Sequence, residues 1–102
     1  MKTHISELII PPLATADPKA VEILRVWASG GKQHVAIATG LWNDPAKWGI
    51  MLVDLARHIA NIFEQSEGKD FQVALDRLKA GFDAEWSHQT DMPSGTIESP
   101  AN

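Results

Sequence analysis

Apolar positions along this chain follow one rule over residues 21–39 and another from Trp48 onward. The first stretch is rich in Val, Ile and Trp, with a Gly30-Gly31 pair at its centre, and predicts two β-strands over residues 21–29 and 33–39. A Gly-Gly pair tolerates the positive φ angles of a tight hairpin turn. Setting Ser29 against Lys32 places Val26 opposite Val35, Leu24 opposite Ile37, Trp27 opposite His34 and Arg25 opposite Ala36. Leu24, Val26, Val35 and Ile37 then share one face, the expected core side. Ile23, Arg25, Trp27, His34, Ala36 and Ala38 share the other. A slip of one residue would mix the two sets, so the pattern itself specifies the register.

From Trp48 the spacing changes. Trp48, Met51, Leu52, Leu55, Ile59, Ile62 and Phe63 recur at steps that suit an amphipathic helix of about five turns. Asp44-Pro45 marks its start, because the Asp carboxylate can accept from free N–H groups of the first turn and Pro suits the first helical position. Residues 65–68 end it. Asp70 is the expected cap of a second helix with the stripe Phe71, Ala74, Leu75, Leu78, Phe82 and Trp86. Gly81 interrupts that helix at a cost of about 1 kcal/mol relative to Ala, for which close packing is the expected reason.

The ends are different. Pro11, Pro12 and Pro18 remove backbone donors and bias the preceding residues toward extended conformations, which predicts an extended arm over residues 1–19. Residues 87–102 contain Pro93, Gly95, Pro100 and several Ser/Thr, and read as a flexible tail. The expected organisation is therefore an arm (1–19), one ββαα domain (20–86) and a tail (87–102). The fold class is α+β: an antiparallel hairpin followed by two α-helices packed on one sheet face.

Such a domain is small for a single core, and a lone two-stranded sheet is marginal in water. The face bearing Ile23 and Trp27 therefore calls for a cover. Either the N-terminal arm or a second copy of the chain could supply it, and the expectation is a homodimer.

Composition narrows the function classes. The 102 residues are 44% hydrophobic and 22% charged, which is ordinary globular usage. There is no cysteine, so disulfides, thiolate metal sites and a cysteine nucleophile are excluded within this sequence. No apolar run approaches a membrane span or a signal-peptide core, and a cytoplasmic protein is expected. Residues 1–40 carry four Lys/Arg against three acids, while residues 41–102 carry five against ten. An acidic helical half without a basic cluster repels phosphate, which argues against nucleic-acid binding.

Two constellations could carry chemistry. Arg25, Trp27 and His34 on one sheet face could hold a planar anion by stacking and ion pairing, or fill an interface with Ile23; the interface reading is preferred, since interfaces are rich in Trp and Arg. Asp54 and His58, spaced i, i+4 on the polar face of the first helix, could form a carboxylate–imidazole pair for proton transfer, or be no more than a solvated pair. Trp42 precedes the helix cap and could stack on a ligand, although packing back on the first turn is the simpler role. No metal-binding spacing, phosphate loop or activated serine occurs, so no metal, cofactor or catalytic residue is assigned.

The segments Val21-Glu22-Ile23-Leu24-Arg25-Val26-Trp27, Trp42-Asn43-Asp44-Pro45, Trp48-Gly49-Ile50-Met51-Leu52-Val53-Asp54-Leu55-Ala56-Arg57-His58 and Gly81-Phe82-Asp83-Ala84-Glu85-Trp86 resemble the uncharacterised bacterial family named domain of unknown function 5076. The resemblance spans roughly residues 10–88. It implies a small bacterial cytoplasmic domain and brings no activity or site residue with it. The function expected is a non-enzymatic homodimeric interaction or binding module for a protein partner or a small ligand. The alternative is a small enzyme or ligand-binding protein using His58 with Asp54, or His34 with Arg25.

Overall fold

A computed structural model describes residues 3–88. Along the chain run α1 (Pro12–Ala16), β1 (Leu24–Ser29), β2 (Lys32–Ile37), α2 (Pro45–Glu67) and α3 (Phe71–Ser87). The chain is α+β, with a two-stranded antiparallel hairpin followed by the two long helices. The described residues fall into two compact units, 3–38 and 39–88.

In the first unit the hairpin pairs Leu24 with Ile37, Arg25 with Ala36, Val26 with Val35, Trp27 with His34 and Ser29 with Lys32. This is the register that the side-chain pattern specifies. Gly30 and Gly31 both take positive φ, 61° and 75°, as a two-residue turn matched to strand twist requires. The strands are shorter than the residue types suggest. One further bond, from the Ala38 N–H to the Ile23 carbonyl at 3.1 Å, extends the ladder beyond them. Among the described residues no further strand pairs with the free edge of either strand.

The arm is not extended throughout. Pro12 sits at the first helical position, and Pro11 before it is held extended at ψ 138°. The Pro11 carbonyl accepts from Thr15 at 3.0 Å, and a single helical turn follows before Asp17 ends it. The prolines thus start a short helix here rather than prevent one.

In the second unit α2 and α3 pack on each other. Asp44 caps α2 by accepting from the Ala46 N–H at 3.0 Å, and Asp70 caps α3 by accepting from the Val73 N–H at 3.1 Å. Gly68 takes φ 67° at the C-terminus of α2 and lets its own N–H reach the Glu64 carbonyl. Glu64 also accepts from the Phe71 N–H at 3.1 Å, tying the loop between the helices. Ala60 on α2 and Ala74 on α3 are the buried residues among those described. Gly81 corrects an expectation: a Cβ built there meets nothing within 4 Å, so close packing is not the reason for it. The expected tail lies outside the described residues, apart from Ser87 and His88 at the end of α3.

Candidate functional site

The sheet face of Arg25 and Trp27 is a built surface, and the arm covers part of it. The Arg25 guanidinium lies 3.0 Å from the Glu7 carboxylate and 3.2 Å from that of Glu22. Glu7 also accepts from the Thr3 N–H at 2.8 Å, and its side chain is only 12% exposed. The Thr3 N–H and the Arg25 charge together hold the Glu7 carboxyl below the usual glutamate range, against a contribution from burial that acts the other way. The hydrogen bond and charge of Glu22, with those of Glu7, raise Arg25 above its ordinary value. One turn of chain before Glu7, the His4 ring packs edge-on against Trp27 with centroids 4.9 Å apart.

Ile23, Arg25 and Trp27 are accordingly half-buried, while His34 is exposed. His34 Nε2 lies 3.2 Å from the Ser29 carbonyl, within hydrogen-bond reach across the turn. The four residues share a face as the alternation predicts. Arg25 is nevertheless engaged by two carboxylates, so an anionic ligand would have to displace Glu7 to reach it. His4 and Glu7 are the residues that sequence reasoning missed. They lie in a proline-bounded segment with no periodicity, and only the distant partner residues reveal them.

The polar face of α2 presents a different outcome for each member of the pair. Asp54 forms an ion pair with Arg57 at 3.6 Å. No hydrogen bond joins it to His58 among the described residues. Spacing made the Asp54–His58 contact possible, but Arg57 one turn from Asp54 offers a full charge and takes the carboxylate. Trp42 packs edge-on against Trp48, centroids 4.9 Å apart, so the residue before the cap is stapled to the first turn of α2. No group of three or more His, Cys, Asp or Glu is gathered among the described residues.

A groove of about 490 Å³ opens within the helical unit, lined by Phe63, Lys69, Val73, Ala74, Arg77 and Leu78. Lys69 Nζ sits 5.4 Å from the centre of the Phe63 ring, a cation over an aromatic face. Neither base was singled out by the sequence pattern, because each lies among the acidic residues of its own helix or loop.

The profile of the family described as domain of unknown function 5076 matches residues 7–90. This chain belongs to that family. The match takes in the hairpin, both long helices and Glu7 of the arm. No curated protein matches it. A solved structure from the photosynthetic bacterium Rhodopseudomonas palustrus CGA009, provisionally named a pyruvate dehydrogenase, is similar at 30% identity and TM-score 0.71. The likeness covers 93% of this member of the family and 97% of the Rhodopseudomonas chain. No helix among the described residues of this family member is long and apolar enough to cross a membrane.

Proposed function

We propose that this chain is a small non-enzymatic interaction module, working as a homodimer in the bacterial cytoplasm and binding a protein partner. The observation that carries the reading is the balance of burial. Ala60 and Ala74 are the buried residues among those described, whereas Ile50, Leu52, Val53, Ile59, Ile62, Phe82 and Trp86 are exposed. Among them Leu52, Ile59 and Ile62 line up on one side of α2, and a row of exposed apolar side chains of this kind is what an interaction site offers. The sheet face of Ile23, Arg25, Trp27 and His34 is a second contact surface, open to a partner that displaces the arm.

The proton-transfer alternative has less support. Asp54 is matched with Arg57, and Arg25 is matched with Glu7 and Glu22.

The test is light scattering of the full chain across micromolar concentrations, joined to affinity capture at native expression level. A two-chain mass and a reproducible captured protein support the reading. A single-chain mass at every concentration, with nothing captured, removes it.

A further inference from the structure

Helix α2 carries two apolar seams: one faces α3, and the other, beyond the Trp48 ring that Trp42 covers, stays exposed among the described residues. Ala56, Ala60 and Phe63 lie along the side that α3 packs against, where burial is greatest. A second line runs through Trp48, Leu52, Leu55, Ile59 and Ile62. Its steps are four, three, four and three, the spacing of positions a and d in a coiled coil. With 100° per residue, this line is centred about a quarter-turn around the helix from Ala56 and Ala60. Leu52, Leu55, Ile59 and Ile62 stand 38–58% exposed, although they are aliphatic and evenly spaced.

We propose that this seam pairs with the same seam of a second copy, so that two α2–α3 units form a four-helix bundle. The inference rests on the homodimer reading above and assigns it a surface. The flanking residues favour a second copy over another partner. Positions beside the seam are Gly49, Ala56 and Phe63 on one side, and Met51, His58 and Gln65 on the other. In the heptad frame of the seam the five Lys, Arg, Asp and Glu side chains of α2 take the remaining positions, Lys47 and Asp54 at c, Arg57 and Glu64 at f, and Glu67 at b beyond the last seam residue.

In coiled coils the flanking positions hold the charges that choose a partner. Here they hold none, so a charged heterologous helix gains no complementary ion pair. A second copy meets no like charge despite the net charge of −4. A two-fold interface also needs one self-complementary patch, which an uncharged seam supplies. The seam runs from Trp48 to Ile62 of α2, about four turns, and α3 adds its own packing to each half of the bundle.

The chain has no cysteine, which makes the test direct. Leu55 is the middle residue of the seam and faces its own copy whether the helices pair parallel or antiparallel. Leu55→Cys in the full chain should oxidise to a covalent dimer within minutes of mild oxidant. Lys79→Cys on α3, off the seam, should do so at least tenfold more slowly. The double variant Leu55→Glu/Ile59→Glu should shift light scattering from two chains to one while its far-ultraviolet helical signal persists. If that variant unfolds instead, the Leu55→Cys comparison still decides. A dimeric wild-type chain together with equally slow oxidation of the Leu55→Cys and Lys79→Cys variants overturns the seam and leaves the homodimer standing. A wild-type chain that is monomeric throughout overturns both.

Discussion

Glu7 reaches Arg25 at 3.0 Å across the gap between the arm and the first strand, and in doing so closes the face that the hairpin leaves open. The contact is stronger than a simple surface pair because Thr3 turns its own N–H onto the same carboxylate. Arg25 is in turn steadied by Glu22 three residues earlier. The arm is therefore clasped at one charged point and one aromatic point, His4 on Trp27. Replacing Glu7 by Gln keeps the shape and removes the charge. Amide exchange in residues 3–10 should then accelerate measurably, with the helical unit unaffected. Unchanged exchange in the arm would show that the ion pair does not hold it.

The same carboxylate gives a pH dependence with a definite sign. Its folded value lies below the ordinary 4.5, mainly through the Thr3 N–H and aided by Arg25. A depressed folded value means that the unfolded or undocked state binds a proton first. Arm docking is therefore fully supported above about pH 4.5 and weakens as pH falls through the lower folded value. Arg25 stays charged throughout, its own value being raised. Following the Trp27 indole proton by NMR between pH 7 and pH 3 should show progressive release of the His4 ring contact. In Glu7→Gln the acidic step attributable to this carboxylate should vanish; a step unchanged by that substitution would assign the transition to another group.

Much of the fold was legible because it is written locally. The hairpin register follows from the Gly30-Gly31 turn and the side-chain alternation, and both helix starts follow from an Asp that can reach back to free N–H groups. The arm was not legible for the converse reason. Its helix depends on Pro12 falling at the first helical position, while its docking depends on residues far along the chain. The Asp54–His58 pair shows the limit of spacing as a guide. Two residues one turn apart can meet, but a third with a full charge decides whether they do. Lys69 over Phe63 escaped notice because the loop that brings them together is set by Gly68 and Glu64, not by a periodic pattern.

The caps should be separable from the packing. Asp44→Ala and Asp70→Ala each remove one side-chain acceptor at a helix N-terminus and disturb no buried group. Each should lower stability by about 1 kcal/mol in chemical denaturation. Asp→Asn at either site should recover most of that loss, since the amide oxygen caps nearly as well. Equal losses for Ala and Asn would point to charge on the helix dipole rather than the hydrogen bond.

Trp42 should matter more than its position in a loop suggests. It stacks edge-on to Trp48 at 4.9 Å and is half-buried, so it covers the start of α2 as a lid of apolar surface. Trp42→Ala removes both the aromatic pair and the burial, and should cost about 1–3 kcal/mol. Near-ultraviolet circular dichroism should lose the paired-indole signal in the same variant. Trp42→Phe should retain about half of the stability because an edge-to-face pair survives. A near-neutral Trp42→Ala would mean that Trp48 is held by its own helix alone.

Gly81 offers the opposite sign. It lies inside α3 with ordinary helical φ, and a Cβ there would meet open space. Nothing in the described fold therefore asks for glycine. Replacing it by Ala removes conformational freedom from the unfolded chain and should stabilise the protein by about 1 kcal/mol. Thermal unfolding should move upward in step. If Gly81→Ala is instead destabilising while the single-chain helical content is intact, the methyl group must collide with a surface brought by another molecule. The glycine would then mark a close approach on α3, and repeating the measurement at rising protein concentration would reveal it, since the penalty should grow as association becomes complete.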